Sequence, residues 1–155
     1  MDIRWQESGA QKPLVLFIHG FKGFKDWGPF NAIANQFAQA GFVFAKLNLS
    51  HNGTTVEQPL DFADLEAFGQ NNISIELSDI SIATDWALQN RQKIGSPDLG
   101  KICLIGHSRG GGLAILQGNE DNRVNRVATW ATVSDFFRLL EGEAVVPGEL
   151  VGIHM

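Results

Sequence analysis

The chain is poor in cysteine. It carries one, Cys103, in 155 residues, so an intramolecular disulfide framework is excluded and a reducing compartment is expected. Long hydrophobic runs are also missing. No stretch of about 18 apolar residues occurs, and the start, MDIRWQESGAQK, holds charges where an export signal needs an apolar core. A soluble, cytoplasmic protein with no membrane contact is expected. Positive charge is in the minority: 12 Lys and Arg stand against 17 Asp and Glu, a formal charge of −5. On bulk charge, this excludes a basic nucleic-acid binder. One cysteine and four scattered histidines provide no metal-ligand spacing. There is no G-x-x-x-x-G-K-S/T loop for phosphates, and Gly106-His107-Ser108-Arg109-Gly110-Gly111 lacks the early G-x-G of a dinucleotide site. The sequence therefore implies no cofactor.

What is present is the balance of a globular domain, with 44% hydrophobic and 19% charged residues and a mean hydropathy of −0.04. A length of about 150 residues suits one domain, 1–155, with one substantial core. Leu14 to Ile18, Phe42 to Leu49 and Ile102 to Ile105 are continuous apolar runs, the pattern of parallel strands buried on both faces. Arg126 to Val133 (RVATWATV) is a further strand by its β-branched and aromatic content, and Ile3 to Gln6 is a short edge strand.

Helical spacing falls between these runs. Phe30, Ile33, Ala34, Phe37 and Ala38 form a stripe that ends at Gly41, a C-cap. Ile75, Asp79, Ile82, Ala83, Trp86 and Ala87 form a second stripe over Glu76 to Gln92, and a third helix starts near Arg109 and runs to about Gln117. The alternation predicts an α/β fold, a mostly parallel sheet with helices on both faces. Asn52 to Asn72 is a long connection without clear period, apart from a short helical turn at Ala63 to Phe68. Such connections often carry function. The stretch Glu141 to Met155 has neither period.

Chemistry concentrates at Gly106-His107-Ser108-Arg109-Gly110, a G-x-S-x-G motif placed between a strand and a helix. A sharp turn there holds the serine with its Oγ exposed, and the helix that follows directs its amino-terminal N–H groups and positive dipole end at the reacting oxygen. A second signal, His19-Gly20-Phe21, follows the strand ending at Ile18. A loop in this position supplies the other oxyanion donor, so the N–H groups of Phe21 and Arg109 are expected to converge on one developing oxyanion. Both turns lie at carboxyl ends of neighbouring strands, where open α/β sheets bind ligands.

With its strand order and these two motifs, Pro13 to Ser134 resembles the α/β-hydrolase family. The stretch Phe42 to Leu49 followed by Ser50-His51-Asn52-Gly53 is similar to the strand and loop between the two motifs in that family. The resemblance implies a serine esterase, thioesterase or acyl-peptidase with Ser108 as nucleophile and a small acyl ester or thioester as substrate. It also implies an acid and then a histidine on later strands. Only residues 109–155 follow Ser108, and no further βαβ unit follows RVATWATV. The plan therefore stops short of the family's last two strands and their triad partners.

Several side chains are candidates for the open roles. His19 orders the oxyanion loop by hydrogen bonding or serves as the base, and His107, at an x position of the elbow, packs or hydrogen-bonds structurally or serves as the base. His51 either touches substrate or lies in a solvated turn, and His154 alone is in family order for the base. Asp135 supplies a variant acid or caps a helix at Phe136 to Leu140. Lys22, Lys25 and Asp26 border the cleft or form a solvated face. Phe24 and Trp27 line an acyl pocket or pack on the first helix. The competing function is a catalytically incomplete binding or assembly module. In either case RVATWATV leaves an apolar sheet edge, and homo-oligomerisation through that edge or the tail is expected.

Overall fold

The computed structural model describes residues 1–133. Asp135, the helix expected at 136–140, the 141–155 stretch and His154 lie outside the described residues.

The elements run β1 (Asp2–Arg4), β2 (Pro13–Ile18), α1 (Phe30–Gln39), β3 (Val43–Lys46), α2 (Leu65–Gln70), α3 (Ile73–Gln89), β4 (Asp98–His107), α4 (Arg109–Glu120) and β5 (Val124–Trp130). The five strands form one sheet in the order β1-β3-β2-β4-β5. The β3-β2-β4-β5 pairs are parallel, and only β1 runs antiparallel, against β3. This is the mostly parallel sheet expected from the sequence.

Apolar residues fill both faces of the central strands. Leu14, Leu16, Ile18, Ala45 and Leu104 meet Ile80 and Ala87 of α3 and Leu113 of α4 on one side. On the other, Val15, Phe17, Phe44 and Ile105 meet Phe30 and Ala34 of α1. Phe30 and Phe17 sit 4.4 Å apart between ring centroids, and burying such a ring contributes roughly 1.5–3 kcal/mol. The end of α1 is as expected at Gly41. Gly41 adopts φ +91, its N–H donates to Ala38, and the Phe42 N–H donates to the Phe37 carbonyl. The Phe37 and Phe42 rings close this Schellman turn at 5.5 Å.

Three expectations are corrected. The α3 stripe is rotated: its buried residues are Glu76, Ile80, Ala83, Thr84 and Ala87, whereas Ile82 and Trp86 are exposed. Small side chains on that face allow close packing, and Glu76 is tolerated there because a cation meets it. β3 is shorter than its apolar run, since Leu47 and Leu49 are buried by packing beyond the ladder. β5 starts and ends earlier than RVATWATV. Ala131 turns to φ 47, and the Thr132 hydroxyl and Val133 N–H then donate to the Ser108 carbonyl.

Candidate active site

The turn between β4 and α4 holds Ser108 at φ 54, ψ −122, a strained conformation for a residue with a Cβ. The strain is held from both sides: the Ser108 N–H donates to the Trp130 carbonyl at 2.9 Å, and its carbonyl accepts from the Gly111 N–H at 2.9 Å. Ser108 precedes α4 but its side chain makes no capping hydrogen bond. The oxygen is therefore not spent on the helix. Across from it, Gly20 comes so close that a Cβ there would lie 2.9 Å from Ser108 Cβ and 3.4 Å from its Oγ. A side chain at this position would fill the space above the serine.

Ser108, Arg109 and Phe21 line one open cavity of about 650 Å³, together with Phe68 of α2, Ile73 of α3 and Val133. The three residues expected at the site from the sequence are thus brought together. Phe21 and Phe68 face each other at 5.5 Å, and Phe68 packs edge-on against Phe62 at the same distance. Asn71, Asn72 and Ser74 give the cavity a polar side.

His19 is fully enclosed and ties the loop behind Phe21 to the sheet. Its Nε2 accepts from the Leu49 N–H at 3.2 Å, which leaves Nδ1 as donor to the Gly20 carbonyl at 2.9 Å. Burial pushes its pKa down to about 4, against the hydrogen bond to Gly20 and with a small contribution from His107. The ring is neutral at pH 7. His107 packs against Trp27 at 6.2 Å and Phe30 at 5.7 Å, and Trp27 lies on Phe30 of α1 at 5.8 Å. Trp27 thus packs on the first helix. His51 pairs through Nδ1 with Ser50 Oγ at 2.7 Å. Among the described residues, no histidine lines the cavity.

Lys25 and Asp26 form no solvated face. Lys25 Nζ reaches Asp2 at 2.8 Å, and Asp26 pairs with both Lys25 and the fully buried Lys46 of β3. This cluster ties the loop after β2 to β1 and β3.

Glu76 is a site residue not expected from the sequence. Its carboxylate, almost wholly buried, takes the Arg109 guanidinium in a fork, with Nη2 at 2.8 Å and Nε at 3.0 Å from Oε2. Asn71 Nδ2 donates to its Oε1 at 2.8 Å. The available signal was an acid in phase with Ile80, Ala83 and Ala87 on a helix's buried stripe.

No protein-family model and no curated protein sequence matches the chain. Among solved structures, the arrangement of strands and helices is that of the α/β hydrolases, and the chain has that fold. It is similar to dienelactone hydrolase from Anabaena variabilis, with 24% identity and a TM-score of 0.63 over 81% of this chain and 55% of that one. It is also similar to Est1E from Butyrivibrio proteoclasticus, in a structure with bound ferulic acid, at 20% identity and TM-score 0.62 over 81% and 45% of the two chains. A hyperthermophilic esterase from Pyrobaculum calidifontis aligns at 20% identity and TM-score 0.56, over 81% and 38%. The chain spans about half the length of these proteins or less. Among the described residues, no helix is long and apolar enough to cross a membrane.

Proposed function

We propose that the chain is a serine hydrolase of carboxylic esters or thioesters. Ser108 Oγ attacks the acyl carbon, and the N–H groups of Phe21 and Arg109 receive the tetrahedral oxyanion, each donor contributing about 3–4 kcal/mol to the transition state. The observation that carries this reading is the strained Ser108 at φ 54, opposed by Gly20 and opening on a cavity shared with Phe21 and Arg109. Neighbours of the same fold named as an esterase and a dienelactone hydrolase support it. The acid and base come from outside the described residues.

A second reading, a catalytically silent binding or assembly module, is favoured by the positions of the described histidines. Both nitrogens of His19 are engaged, His107 is stacked and His51 is bonded to Ser50. A fluorophosphonate separates the two. The expected result is a single adduct on Ser108 and ester hydrolysis that disappears in Ser108→Ala. A folded protein that takes no adduct, or hydrolysis that survives the substitution, would defeat the nucleophile assignment.

Self-association is proposed as well. Among the described residues β5 pairs with β4 alone, and Asn125, Arg126, Val127 and Ala128 along it are exposed. An open edge of this kind attracts a second strand. Sedimentation at micromolar concentration is expected to show a dimer or larger species; a strictly monomeric boundary would count against it.

A further inference from the structure

Arg109 is the only charged residue among the described residues lining the Ser108 cavity. An arginine beside a substrate site ordinarily recruits carboxylates, because its planar fork matches theirs. Here that fork is already filled by Glu76 from the first turn of α3. The two side chains are 14% and 4% exposed, so water screens the pair weakly. Asn71 completes the carboxylate by donating to Oε1. Its own Oδ1 is buried without a hydrogen-bond partner among the described residues, a second negative end beside the acid.

We propose that Glu76 sets the charge preference of the Ser108 cavity: by pairing with Arg109 it offsets the guanidinium's charge, so the site takes uncharged acyl groups and turns away carboxylates. A ligand carboxylate reaching for Arg109 would have to displace a fork already in place or sit beside a second carboxylate at low dielectric, where like charges repel strongly. This inference rests on the reading of the cavity as the substrate site.

A matched set of ligands tests it by NMR titration: 4-phenylbutanamide, 4-phenylbutanoate and 4-phenylbutylamine, which share a shape and differ in charge. The wild-type protein should bind the amide about tenfold more tightly than the carboxylate. Glu76→Gln, which takes the carboxylate charge away from the Arg109 guanidinium, should reduce that ratio about tenfold. Arg109→Gln should raise it and favour the amine. An altered ratio of opposite sign in the two variants is something a purely structural role for the pair would not produce. The inference is overturned if the wild type prefers the carboxylate, if none of the three ligands binds at millimolar concentration, or if both variants keep the wild-type ratio within twofold. Should either variant fail to fold, the wild-type preference and the other variant decide. The titrations require no turnover. An unlabelled Ser108 with the amide preferred defeats the hydrolase reading alone, whereas a labelled Ser108 with the carboxylate preferred defeats this one.

Discussion

Gly106→Ala is expected to destabilise the protein by about 3 kcal/mol or more, at the upper end of what overpacking costs. A Cβ at Gly106 would lie 2.0 Å from the Gly110 carbonyl oxygen, 2.3 Å from its carbon and 2.5 Å from Gly111 Cα. All three are backbone atoms of the first turn of α4, so no rotamer change can relieve the clash. Nor can that turn retreat freely. Gly110 is itself pressed so closely to the carbonyls of Ile18 and His19 that a Cβ on it would come within 2.4 Å of both oxygens. Relief requires α4 to shift, and Ser108 moves with it. Urea unfolding checks this, with Gly9→Ala as the control: nothing lies within 4 Å of a Cβ at Gly9, and a change within about 0.5 kcal/mol is expected there. A Gly106→Ala midpoint equal to that of the wild type would show that the turn is not so tightly packed.

His19 should give the protein a pronounced loss of stability in mild acid. In the unfolded chain the imidazole takes up a proton below its ordinary value of 6.5, whereas the buried ring resists protonation until about 4. Between these values protons bind the unfolded state more readily. The contribution is fully present above pH 6.5, falls as the pH drops and is gone near pH 4. The gap corresponds to about 3 kcal/mol. Depressed carboxylates act in a lower window. At Asp26, burial pushes the pKa up but hydrogen bonds from Lys25 and Lys46 prevail and hold it at about 2, so that contribution is lost only below the ordinary value of 3.8. The two windows are therefore separable. In His19→Gln, the slope of unfolding free energy between pH 6.5 and 4 should flatten by about 3 kcal/mol in total, with the steep fall below pH 4 retained. An unchanged slope in the upper window would show that the ring titrates normally and is not held neutral by its burial.

Local chemistry made much of the architecture legible. Phe30, Ala34 and Ala38 repeat at helical spacing because one face of α1 must be apolar to cover the sheet, and that requirement is written in the residues themselves. The runs containing Leu14 to Ile18 and Ile102 to Ile105 read as strands for the same reason, since both faces of a central parallel strand are covered. The phase of α3 did not follow from its sequence. Trp86 and Ile82 are the more apolar choice for a buried stripe, yet the structure buries Glu76 and Thr84 instead. Hydropathy ranks side chains one at a time and cannot register that Glu76 will meet Arg109, which is 33 residues away.

The same boundary runs through the site. The sequence alone was enough to place Ser108 at a turn between strand and helix and to pair it with the His19-Gly20-Phe21 loop, because a glycine-flanked serine at a strand end and a loop after a buried strand are local features. It also sufficed for the parallel α/β plan. Tertiary structure alone decided that Phe68 from the long 52–72 connection would join Phe21 in the cavity wall, that His19 would be enclosed and neutral, and that Arg109 would be matched by a buried acid. Each of these depends on which distant groups are brought within hydrogen-bonding or van der Waals reach, and on how much water is excluded when they meet. Neither quantity exists until the chain has packed.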